Sequence, residues 1–87
     1  MAIADTLDER QSTHGNFARN AQLSQELKDV CRLNKIQSLS DVQAEALDNI
    51  CQKMARILTG NPNHADNWHD IAGYAMLAER ELADEAV

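Results

Sequence analysis

One proline and three glycines stand among 87 residues, too few turn formers for the closely spaced strands of an all-β domain. The aromatics are Phe17, Trp68 and Tyr74 alone, fewer than a base-stacking platform needs. Basic residues are also scarce. Lys and Arg number 8 against 14 Asp and Glu, which leaves a formal charge of −6. A chain of that sign does not neutralise phosphates broadly, so nucleic acid and anionic membrane surfaces are poor partners. No apolar run approaches the roughly 18 residues of a membrane span. The acidic start MAIADTLDER reads as neither a signal nor a transit peptide, and a cytoplasmic protein is expected. The two cysteines, Cys31 and Cys51, lack CxxC spacing and read as reduced, buried, space-filling thiols. The length suits one domain with a small core, a size at which homo-oligomers are favoured.

What is present is helical periodicity. Ile3 and Leu7 give one apolar edge to a short first helix, closed by the Ser12-Thr13-His14-Gly15 cluster. Fraying is expected over 1–13 and 84–87 of a single domain 1–87. A second helix, about 17–33, follows Asn16 as N-cap, with Leu23, Leu27, Val30 and Cys31 on a narrow stripe shared by Asn20 and Ser24. A third, about 41–59, opens on the capping box Ser40-Asp41-Val42-Gln43. It carries Leu47, Ile50, Cys51, Met54, Ile57 and Leu58 on one broad stripe, with Gly60 placed as a left-handed C-cap ahead of Pro62. A fourth, about 67–83, has Asp66 as its expected N-cap and Trp68, Ile71, Ala75, Ala78 and Leu82 as its core stripe. Trp68 is its expected core anchor. The short connection makes 41–83 an αα-hairpin. The fold expected is an all-α bundle of three main helices with a short N-terminal helix. Met76 and Leu77 fall outside the fourth stripe and are assigned to an interface between copies.

On the third helix, Glu45, Asn49, Lys53 and Arg56 share a polar stripe; on the fourth, Asp70, Tyr74 and Glu81 line one flank. The antiparallel hairpin brings Arg56 and Asp70 near one level and Lys53 and Tyr74 near another, and a bidentate Arg56–Asp70 pair fits. Such a group is either a solvated inter-helix ion pair or an anion site in which Lys53 and Arg56 hold a phosphate. Glu45-x-x-Asp48 has the spacing of a carboxylate pair for Mg²⁺. It lies about 16 Å along the helix from Arg56. His14, His64 and His69 do not share a face and make no zinc set.

Three segments carry a resemblance: His14-Gly15-Asn16-Phe17, the helix end Lys53-Met54-Ala55-Arg56-Ile57-Leu58-Thr59-Gly60, and Asp66-Asn67-Trp68-His69-Asp70-Ile71-Ala72-Gly73-Tyr74-Ala75. Together they resemble a family of small phage and prophage proteins of unknown function. More loosely they are similar to phage nucleotide-modification-associated domains and to all-α MazG-type pyrophosphohydrolases. The resemblance implies an accessory protein of an infected bacterial cell that binds a nucleotide or another phosphorylated small molecule through Lys53, Arg56, Asp70 and Tyr74. The MazG likeness implies Mg²⁺-dependent hydrolysis, with Glu45 and Asp48 facing Glu26 and Asp29. The fourth helix offers Asp66 and Asp70, four apart, in place of an E-x-x-D pair, so a binding protein rather than an enzyme is expected. The remaining alternative is a non-catalytic acidic module that binds a host protein.

Overall fold

The computed structural model describes residues 3–86 as four helices, with no strand among the described residues. They are α1 (Ile3–His14), α2 (Phe17–Asn34), α3 (Asp41–Thr59) and α4 (Ala65–Ala86). The all-α class and the 41–83 hairpin are as expected. Helix α1 covers Ile3–His14, and α4 continues past Ala83 to Ala86. Residues 1, 2 and 87 lie outside the described residues.

Local chemistry fixes the helix ends. The Asn16 side chain accepts the Arg19 N–H at 3.1 Å and starts α2. At α3 the Ser40 hydroxyl accepts the Gln43 N–H at 3.1 Å while the Gln43 amide oxygen accepts the Ser40 N–H at 3.0 Å. Gly60 ends α3 and donates its N–H to the Arg56 carbonyl at 3.0 Å, but its φ is −128° rather than left-handed. No left-handed reversal is needed there. The chain leaves through an Asx turn, in which the Asn63 N–H donates to the Asn61 side chain at 2.9 Å. The same turn starts α4 at Ala65, so Asp66 sits in the first turn instead of capping it. The positive φ belongs to Gly15, at 81°.

Helix α3 is central. It packs against α2 on one side and α4 on the other, while α2 and α4 do not touch and α1 makes smaller contacts with α2 and α3. The seam between α2 and α3 is built from small or polar side chains: Asn20 and Ser24 facing Cys51 and Ala55, all buried. The joint between α1 and α2 closes on the end of α3, where a Cβ placed on Gly15 would overlap the Thr59 carbonyl. The Asn20 amide donates to the Thr59 hydroxyl at 3.5 Å, and that hydroxyl donates to the Ala55 carbonyl at 2.8 Å.

On α4 the buried stripe differs from the expected one. Asn67 is buried, and Ile71, Tyr74 and Ala78 are half-buried. Trp68 is 55% exposed, and Ala75 and Leu82 are exposed. The contact face is thus rotated by about 50° at 100° per residue. The cause is local. The Trp68 indole N–H donates to the Pro62 carbonyl at 2.8 Å, which ties the ring to the α3–α4 loop rather than to the core. Trp68 anchors the loop, and the core-anchor expectation is corrected.

Candidate functional site

The two neighbours of α3 divide its surface into two faces. Cys51 marks the side against α2, and Lys53 marks the side against α4. At about 100° per residue the shorter arc between them spans about 160° and holds Leu47, Ile50, Met54 and Leu58. The longer arc holds Glu45, Asn49, Gln52 and Arg56. Antiparallel neighbours continue each face by the same rotation. The polar face therefore extends to Arg32 and Asp29 on α2 and to Asp70, Leu77 and Glu81 on α4.

At the α3–α4 edge of this polar face, the Lys53 ammonium lies 3.0 Å from the Asp70 carboxylate. Lys53 is 14% exposed at its side chain. The bond from Lys53 holds the Asp70 carboxyl below its ordinary range, with the charges of Lys53, His69 and Arg56 adding to it. The expected Arg56–Asp70 pair is thus replaced by Lys53–Asp70. Lys53 and Arg56 are three positions apart, so the two cations sit a turn apart on α3, and the shorter side chain already reaches the carboxylate. Arg56 is half-buried and has no ion-pair partner among the described residues.

Beside the pair, on the outer flank of α4, lies an open groove of about 390 Å³ lined by His69, Asp70, Gly73, Tyr74, Met76, Leu77 and Arg80. Asp70 and Tyr74 of the expected set line it; Lys53 reaches it through Asp70, and Arg56 does not line it. His69, Gly73 and Arg80 were not expected there. Their signal is the 4-3-4 spacing of His69, Gly73, Met76 and Arg80, which puts them on one stripe. The missing side chain of Gly73 opens the groove floor, since a Cβ there would meet nothing within 4 Å.

The acidic pairs have other partners. The Glu45 carboxylate accepts from the Asn49 amide at 3.3 Å, and Glu26 accepts from Gln22 at 3.2 Å. Asp29 and Asp48 flank the Arg32 guanidinium at 3.2 and 3.9 Å. Among the described residues no three His, Cys, Asp or Glu side chains are arranged to hold a metal ion. The four acids implied by the MazG likeness are therefore not gathered around one point, and no chemistry is derived through Mg²⁺.

The two thiols meet across the α2–α3 seam, with Cys31 Sγ and Cys51 Sγ 3.6 Å apart and both free. Burial, then the bond to Cys31, pushes the Cys51 thiol from 9.0 up to about 11. Cys51 is expected to react with a thiol reagent at pH 8 at least about a hundredfold more slowly in the native protein than when unfolded, because its thiolate fraction falls by that factor. Time-resolved labelling read by mass spectrometry checks this; equal rates with and without urea would contradict the seam.

Among the described residues no helix is long and apolar enough to cross a membrane. No curated protein and no solved structure matches the chain. Residues 2–82, nearly the whole sequence and all three motif segments, match one family model described as a domain of unknown function, and the chain belongs to that family, DUF6378.

Proposed function

We propose that this chain binds a phosphorylated small molecule, a nucleotide among them, in the groove on the outer flank of α4. The observation that carries the reading is the gathering of Arg80, His69, Tyr74 and the Lys53-held Asp70 around one opening in a chain of net charge −6. All seven lining residues belong to α4, so a ligand would lie along the flank of one helix rather than inside a cavity. Arg80 offers a planar fork for a phosphate. Gly73 and Leu77 offer an apolar floor for a ring, and Asp70, fixed by Lys53, offers an acceptor for a hydroxyl or amino group. Arg56, on the adjoining polar face, adds positive potential. The motif resemblance supports an accessory role in phage or prophage biology and a ligand rather than a reaction.

The test is calorimetric titration of the wild type, Arg80→Ala, Lys53→Ala and Arg56→Ala with a panel of nucleotides and sugar phosphates, with and without Mg²⁺. Arg80→Ala is expected to weaken binding about ten- to a hundredfold, the value of one charge-assisted contact. Lys53→Ala, acting through Asp70, and Arg56→Ala, acting through its field, should cost about tenfold or less. No heat from any panel member would overturn the ligand reading in favour of the host-protein module. Release of pyrophosphate from a triphosphate would replace simple binding by MazG-type hydrolysis.

A further inference from the structure

The opposite face of the helix layer is apolar and uncovered. On α3 it shows Leu47, Met54 and Leu58, the last 66% exposed. The same rotation on the antiparallel neighbours adds Val30 of α2, 59% exposed, and Trp68 and Leu82 of α4. Leu23 and Leu27 continue it at half burial. Inside the chain, by contrast, the buried apolar residues among those described are Ala46, Cys51, Ala55 and Ile57. Among the described residues, those of this side stay exposed or half-buried.

Global dimensions agree. The accessible surface is 6407 Å², where a compact monomer of 9.7 kDa exposes about 5100 Å². The radius of gyration is 15.1 Å, against about 12 Å for a compact chain of this length. The excess of about 1300 Å² exceeds the roughly 600–1000 Å² that each partner contributes to a stable interface.

We infer that this face is the dimerisation surface of the protein, and that its occupant is a second copy of the same chain, layer against layer. Charge favours a copy over another protein. The residues of the face on α3 carry no charge; on α4 the interruption is Glu79, and on α2 Arg19 and Glu26 fall within about 40° of Val30. An acidic chain can therefore meet itself here while keeping Glu45, Asp48, Asp70 and Glu81 apart on the polar side, with Arg19 available to the few carboxylates that the face does carry. The face offers no cluster of one sign by which to select a charged partner. The expected interface at Met76 and Leu77 moves accordingly. Both are exposed, at 51% and 56%, but they line the groove on the other flank. In a dimer built on the apolar face the groove stays open, so this inference stands or falls separately from ligand binding.

Sedimentation velocity over a range of protein concentrations tests it, with the wild type beside Leu58→Glu, Val30→Glu and Leu77→Glu. Leu58 and Val30 are already exposed in the single chain, so their substitution leaves the monomer fold intact, as circular dichroism will verify. The wild type is expected at twice 9.7 kDa. Leu58→Glu and Val30→Glu are each expected to raise the dissociation constant at least about a hundredfold, because two-fold symmetry places each charge in the interface twice. Leu77→Glu should remain dimeric. A wild type that stays monomeric at about 100 μM overturns the inference. So does a dimer dissociated by Leu77→Glu and indifferent to the other two.

Discussion

Gly15→Ala is expected to destabilise the folded chain by about 3 kcal/mol or more. Two costs add. Gly15 holds φ at 81°, a left-handed conformation that costs an L-residue about 1–2 kcal/mol. The added Cβ would also overlap the carbonyl of Thr59, which is backbone and cannot rotate away, and overpacking of this kind costs about 1–3 kcal/mol. The reason lies in the topology. The chain must turn from α1 into α2 while pressed against the last residues of α3, and only a residue without a side chain fits. Gly73→Ala supplies the contrast. It sits in a helix with open space around it, so alanine there should stabilise by about 0.5–1 kcal/mol. Urea unfolding of both variants checks the pair; a Gly15→Ala midpoint equal to wild type would mean that the α1–α2 joint does not seat on α3.

These two glycines show where sequence reading succeeds and where it stops. Gly15 stood in a breaker cluster, which located the turn but not its neighbour, because the Thr59 contact is 44 positions away and no local propensity encodes it. The helix starts were legible for the opposite reason. Asn16 and Ser40 bond amides three residues on, so cause and effect share one turn. The α3 stripe was legible in extent but not in use. It reads as a single broad apolar band, whereas two neighbours bury its edges and leave Leu47, Met54 and Leu58 between them exposed.

Helix α4 was misread in phase for a related reason. Trp68 and Leu82 dominate any count of apolar area, so they set the expected stripe. The structure instead buries Asn67, with Ile71, Tyr74 and Ala78 half-buried beside it, and that shift of about half a right angle turns Asp70 toward Lys53. The candidate site inherits the error and the success together. The hairpin brings Lys53 of α3 to Asp70 of α4, whereas the sequence reading gave that carboxylate to Arg56. The groove beside them depends on the true phase, which is why His69, Gly73 and Arg80 escaped notice.

The second large effect follows from how α2 and α3 are held together. Ala55 is fully buried, at 0% exposure, in a seam with Asn20, Ser24 and Cys51. Small side chains let the two helices approach closely, and Ala55 also lends its carbonyl to Thr59, the residue on which Gly15 rests. Ala55→Leu raises hydrophobicity and barely changes helix propensity, so a reading by composition would rank it harmless. Packing ranks it otherwise. The added carbons have no void to enter, and separating the helices would also disturb the Asn20–Thr59 bond and the Gly15 contact. A cost of about 3 kcal/mol is expected, at the upper end for overpacking. Leu33→Ala, which deletes a large apolar side chain 82% exposed on α2, should cost no more than about 0.5 kcal/mol. Thermal and urea unfolding of the two variants at one protein concentration decide the order. If adding bulk at Ala55 proves milder than removing it at Leu33, the helices are not held by close contact of small residues, and the seam described between α2 and α3 is wrong.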